Sequence, residues 1–198
     1  MRSSSPATHG SVPANRGSWG EVAPGMPSWF ERLGARFRRS GGATNGPATY
    51  LGLRALATKA DIASIEPEAG EAMRSVAVAM MEIGLATGTA TFVAIADGTV
   101  SMYTSTGGGV IGGGGHAAVL EAARRFRGAM ADSRHLLKPS SEFALPEPGT
   151  VRFHARTLDG DWTAVATEQA LRTRQHPLAE LYAAGQDLVT ELRLSTPR

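Results

Sequence analysis

The chain has 198 residues, 42% of them hydrophobic and 19% charged, a globular composition sufficient for one domain of about 100–150 residues and a tail. It contains no cysteine, which excludes disulfides, thiolate zinc sites and a cysteine nucleophile and makes a reducing cytoplasm the expected compartment. The net charge of +2 hides an asymmetry: residues 1–47 carry six arginines against two glutamates, whereas residues 48–198 carry 14 basic and 16 acidic side chains, so the folded part lacks the basic stripe of a nucleic-acid binder.

Residues 1–27 are rich in Ser, Gly and Pro without periodicity and are expected to be disordered, because they cannot bury enough apolar surface to offset the entropy of ordering. No apolar run there reaches the length of a signal-peptide core or a membrane span. The spacing of Trp29, Phe30, Leu33 and Phe37, with arginines between them, predicts a short amphipathic helix over about 28–39. The Gly-rich stretch 40–47 then reads as a linker, so residues 1–47 form a basic tail and 48–198 a single domain. The Trp29/Phe30/Phe37 face would serve either packing on the chain's own domain or capture by a partner.

Residues 48–65 suit one or two helical turns, with Leu51, Leu56, Ile62 and Ile65 as core contacts. From Arg74 the period changes to two, and strands rich in Val, Ile, Thr, Phe and Tyr follow. Asp97-Gly98 predicts a two-residue hairpin turn, which pairs Ile95 with Val100 and Val93 with Met102 on one face. Phe92 and Tyr103 then share the other face, as a second packing layer or an exposed aromatic patch.

Seven glycines stand in the nine positions 107–115, ahead of a helix that places Val119, Ala123, Phe126, Met130 and Leu137 on one stripe and Arg124 and Arg127 off it. A helix N-terminus offers unpaired N–H groups, so Gly112, Gly113, Gly114, Gly115 and His116 are the candidate anion site. No lysine follows the glycines, which removes a Walker loop, and the hairpin context removes a dinucleotide fingerprint. The competing reading is a strand-to-helix corner that needs glycine for close approach.

A second hairpin around Asp159-Gly160 pairs Ala155 with Ala164 and Thr157 with Trp162; Arg152, His154 and Arg156 face the other way and are the candidate interface or anion patch. The last helix carries Leu178, Leu181, Tyr182, Gly185, Leu188, Val189 and Leu192 at helical spacing, with His176 at its boundary. No catalytic constellation, metal-ligand spacing or cofactor motif is read anywhere, and no nucleophile elbow.

The resulting order, α-βββ-α-ββ-α, predicts an α+β domain with an antiparallel sheet of about five strands and helices on one face. Over residues 50–194 this order resembles the type III secretion chaperone-like fold and, with one strand moved, the roadblock and profilin-like folds. The blocks "ADGTVSMYTSTGGGVIGGGGH" and "RQHPLAELYAAGQDLVTELR" are similar to uncharacterised bacterial α+β proteins. The resemblance implies a non-enzymatic binding or scaffold domain that dimerises or holds a protein partner. Its contacts would be Phe92/Tyr103, Arg152/His154/Arg156 and Trp29/Phe30/Phe37. The alternative is a small-ligand or phosphate-binding sensor or enzyme built on the glycine loop.

Overall fold

The computed structural model describes residues 47–68 and 76–195; the predicted helix over 28–39 and the tail around it lie outside the described residues. The described residues form an α+β fold with one antiparallel sheet of seven strands and four helices. Helix α1 (Pro47–Thr58) comes first and is followed by a short 3-10 turn. Then come β1 (Val78–Leu85), β2 (Gly88–Ile95), β3 (Val100–Thr104) and β4 (Gly109–Ile111), helix α2 (Ala117–Asp132) and β5 (Lys138–Pro139). Strands β6 (Thr150–Thr157) and β7 (Gly160–Thr167), helix α3 (Glu168–Arg172) and helix α4 (Ala179–Ser195) complete it. The strand order is β4-β3-β2-β1-β6-β7-β5, so β1 is central and is buried along all eight residues.

Two of the strands were not expected. β4 is three residues emerging from the glycine run, and β5 is a two-residue pairing of Lys138 and Pro139 with Thr163 and Trp162. Neither is long enough to print an alternating pattern.

The helices also do not share one face. α2 and α4 pack against one another on one side, over Met81, Phe92, Met102 and Phe153, and Gly185 brings α4 down on Met81 so closely that a Cβ would lie 2.6 Å from its sulfur. α1 lies on the opposite side, where Tyr50 and Ala57 pack with Val78, Met80, Val93 and Tyr103. Arg127, expected off the buried stripe of α2, is 2% exposed and donates from Nε to the Val76 carbonyl.

The first hairpin differs from expectation by one residue. Gly98 adopts φ +83°, its N–H bonds the Ile95 carbonyl, and Ile95 N–H bonds Thr99 O, so the loop is Ala96-Asp97-Gly98, three residues rather than two. The observed pairs are Ala94↔Val100, Phe92↔Met102 and Thr91↔Tyr103. A one-residue slip exchanges the faces of a strand. Phe92 therefore belongs to the α2/α4 side and Tyr103 to the α1 side, both buried. The second hairpin turns at Leu158-Asp159 and pairs Ala155 with Trp162 and Phe153 with Ala164, a shift of two that keeps every side chain on its expected face.

Candidate functional site

Glu82 stands in the middle of β1, on the α1 side of the sheet, with no exposed surface. An ionised carboxylate in that position is sustained only by paired donors. α1 and β2 supply them: Arg54 of α1 and Thr91 of β2 reach the carboxylate directly, and Tyr50, one turn before Arg54, reaches it through Thr91. Arg54 grips Glu82 with two bonds, Nε to Oε1 at 2.8 Å and Nη2 to Oε2 at 2.7 Å. Thr91 Oγ1 donates to Oε1 at 2.9 Å and is itself bonded to the Tyr50 hydroxyl at 3.0 Å.

The segment between β5 and β6 closes the other flank. Arg54 Nη2 also reaches the Phe143 carbonyl at 2.6 Å, and the Phe143 ring lies 5.0 Å from the His154 ring. Gly84 lets the backbone cross, because a Cβ there would overlap the Glu147 carbonyl. His154, 1% exposed, brings Nε2 to 3.4 Å of Glu82 Oε2, within ion-pair range but without a well-formed hydrogen bond. Arg156 donates from Nη1 to the Ala57 and Ala60 carbonyls at the end of α1, and from Nε to Asp161. Its guanidinium thereby satisfies carbonyls that the helix leaves open.

Burial pushes the Glu82 carboxyl up, but the paired hydrogen bonds and the charge of Arg54, with the His154 ring close by, outweigh it and hold the group at about 2. Burial and the Glu82 charge raise both Tyr50 and Tyr103 above the ordinary phenol range. Tyr103, edge-on to Tyr50 at 5.7 Å, buries a hydroxyl that meets no partner among the described residues. The cluster is thus a fixed carboxylate among neutral phenols, and what it does physically is fasten α1 to the sheet.

The glycine run is divided between two corners. Gly107 and Gly108, at φ +98° and +93°, make the β3–β4 turn, and Gly109 has no room for a Cβ against the Met102 carbonyl. Gly112 is left-handed at φ +76°, and Gly113–Gly115 form a single 3-10 turn into α2. Within it Gly115 N–H and His116 N–H turn back to the Gly112 and Gly113 carbonyls. Gly113 is buried against Leu192, and a Cβ on Gly114 would overlap the Gly98 carbonyl. His116 is the N-cap of α2, exposed, and its ring makes no capping bond.

The remaining candidates sort by burial. His154 and Arg156, expected on an outward face, are covered by α1 and the 140–148 segment, and Arg152 alone of the three is half-buried. Phe92 is 0% and Tyr103 3% exposed, so the pair forms no exposed patch. Trp29, Phe30 and Phe37 lie outside the described residues. Sequence reading missed Arg54 and Glu82; the available signal was a single charge inside the apolar run "VAVAMMEIG". Among the described residues no group of three or more His, Asp or Glu could hold a metal ion, and no helix is long and apolar enough to cross a membrane. No family model, curated protein or solved structure matches the chain.

Proposed function

We propose that the chain is a non-enzymatic binding or scaffold domain that works through protein–protein contacts, with a second copy or another polypeptide, and uses the α1 side of the sheet. The observation that carries this reading is that α1 has apolar side chains on both faces, one packed on the sheet and one left outside. Its inward face includes Arg54, tied to the sheet, while Leu51 and Leu56, expected in the core, stand 55% and 71% exposed on its outer face. Large apolar side chains grouped on one outward helix face are the pattern that helix-capturing partners read. Leu145 and Val165, each 44% exposed, add apolar surface on the same side of the sheet.

A photo-crosslinking residue at Leu56 of the full chain is the direct test, with the same residue at exposed Asp187 on α4 as control. Heavier protein adducts from position 56 and none from 187 are the expected result. The absence of adducts from 56, together with a nucleotide or phosphometabolite that raises the melting temperature and loses that effect on His116→Ala, would replace this reading by a ligand site at Gly112–His116.

A further inference from the structure

We infer that the resting occupant of the outer face of α1 is the chain's own segment 28–39, folded back on it as the second arm of a helical hairpin. The inference rests on the reading of that face as a contact surface and names what contacts it.

The face has the geometry of a helix-packing stripe. Ala48, Leu51, Gly52, Ala55 and Leu56 fall at i, i+3, i+4, i+7 and i+8, and none carries a charge. Four of them are exposed and Ala55 is half-buried. The stripe alternates large and small: a Cβ on Gly52 would meet nothing within 4 Å, so Ala48, Gly52 and Ala55 leave room that rings could fill between the two leucines.

The upstream segment is complementary in kind and in length. Its stripe is Trp29, Phe30, Leu33 and Phe37, with Arg32, Arg36, Arg38 and Arg39 elsewhere, so one face needs cover and the other suits water. Twelve residues of helix span about 18 Å, the length of α1. The connector, residues 40–46, reads Ser-Gly-Gly-Ala-Thr-Asn-Gly. Seven residues are a typical link between antiparallel helices, whose connections run about 2–8, and reach at most about 24 Å, so the segment is confined close to α1. An antiparallel return brings Phe37 toward Leu51 and Trp29 and Phe30 toward Leu56.

Size favours this occupant over a second copy. Taken alone the stripe offers five residues, far short of the roughly 20–30 a side in a standard interface, so a separate protein must also cover surface beyond it, such as Leu145 and Val165. A tethered segment needs no such area, because a short flexible linker sets its local concentration at about millimolar.

The absence of native cysteine allows a clean test in the full chain. Leu56→Cys labelled with bimane is expected to show emission quenched by a nearby indole, independent of protein concentration. Trp29→Phe should restore the emission; Trp19→Phe should leave it quenched. Emission that neither substitution changes would overturn the inference, with unchanged far-ultraviolet circular dichroism showing that the fold is kept. Quenching that grows with protein concentration would also overturn it, by assigning the face to a second copy, yet would leave the protein-contact reading standing. A failed crosslink from position 56 would sink that reading instead when it persists in the chain carrying Trp29→Ser, Phe30→Ser and Phe37→Ser, whose segment no longer covers the face.

Discussion

Arg54 of α1 and Glu82 of β1 are joined by two parallel N–H···O bonds across the boundary between the first helix and the sheet. Removing one member leaves the other charge buried, so Arg54→Ala is expected to lower stability by about 3–5 kcal/mol in denaturant unfolding. The paired change Arg54→Met with Glu82→Met should recover most of that loss. A double variant no more stable than Arg54→Ala would show that α1 is held chiefly by its apolar contacts.

The same carboxylate makes stability depend on acid. Its folded value of about 2 lies below the ordinary 4.5, so its contribution is present above pH 4.5 and is lost as pH falls toward 2. Within that window stability should rise by about 1.4 kcal/mol per pH unit from this group alone. Urea midpoints measured from pH 5 to pH 2.5 should fall less steeply in Glu82→Gln than in the native chain. Parallel slopes would contradict the assignment.

The two tyrosines at the boundary of α1 and the sheet should respond differently. Tyr50→Phe removes the bond to Thr91 and is expected to cost about 1 kcal/mol. Tyr103→Phe removes a buried hydroxyl without a partner among the described residues and should leave stability unchanged or raise it by about 1 kcal/mol. Thermal unfolding of the two variants side by side gives the sign, and a loss in Tyr103→Phe would mean that its hydroxyl is bonded.

The glycines before α2 should separate by contact. Gly114→Ala drives a methyl into the Gly98 carbonyl and is expected to destabilise by about 1–3 kcal/mol. Gly115→Ala meets open space and should be neutral or mildly stabilising. Equal losses in the two would contradict the corner described here.

The parts of the fold legible in sequence are those where one periodicity meets one apolar face. All seven residues read as the inner stripe of α4 are buried, as are the five of α2 and its following turn. Register is less legible: Asp97-Gly98 marks a turn but does not say whether Ala96 joins the loop, and that choice decides which face Tyr103 takes. α1 faces the sheet with Tyr50, Leu53, Arg54 and Ala57 and leaves Leu51 and Leu56 outside, because Arg54 must meet Glu82, a tertiary demand that no local pattern encodes. For the same reason the polar cluster escaped notice, since its members come from α1, β1, β2 and β6 and meet only when β1 pairs on both edges.

That double pairing bears on how the chain is made. Synthesis delivers β1 and β2 long before β6, so the β6-facing edge of Val78–Leu85 stands open in the growing polypeptide, a strand of apolar residues interrupted only by Glu82. A charge in such an edge discourages pairing with a neighbouring chain. The Arg54→Met, Glu82→Met variant is therefore expected to refold in lower yield than the native chain as protein concentration rises, even where its finished fold is as stable; equal yields throughout would remove this role. The carboxylate that anchors a helix in the completed molecule is, on this account, first a guard on a half-built sheet.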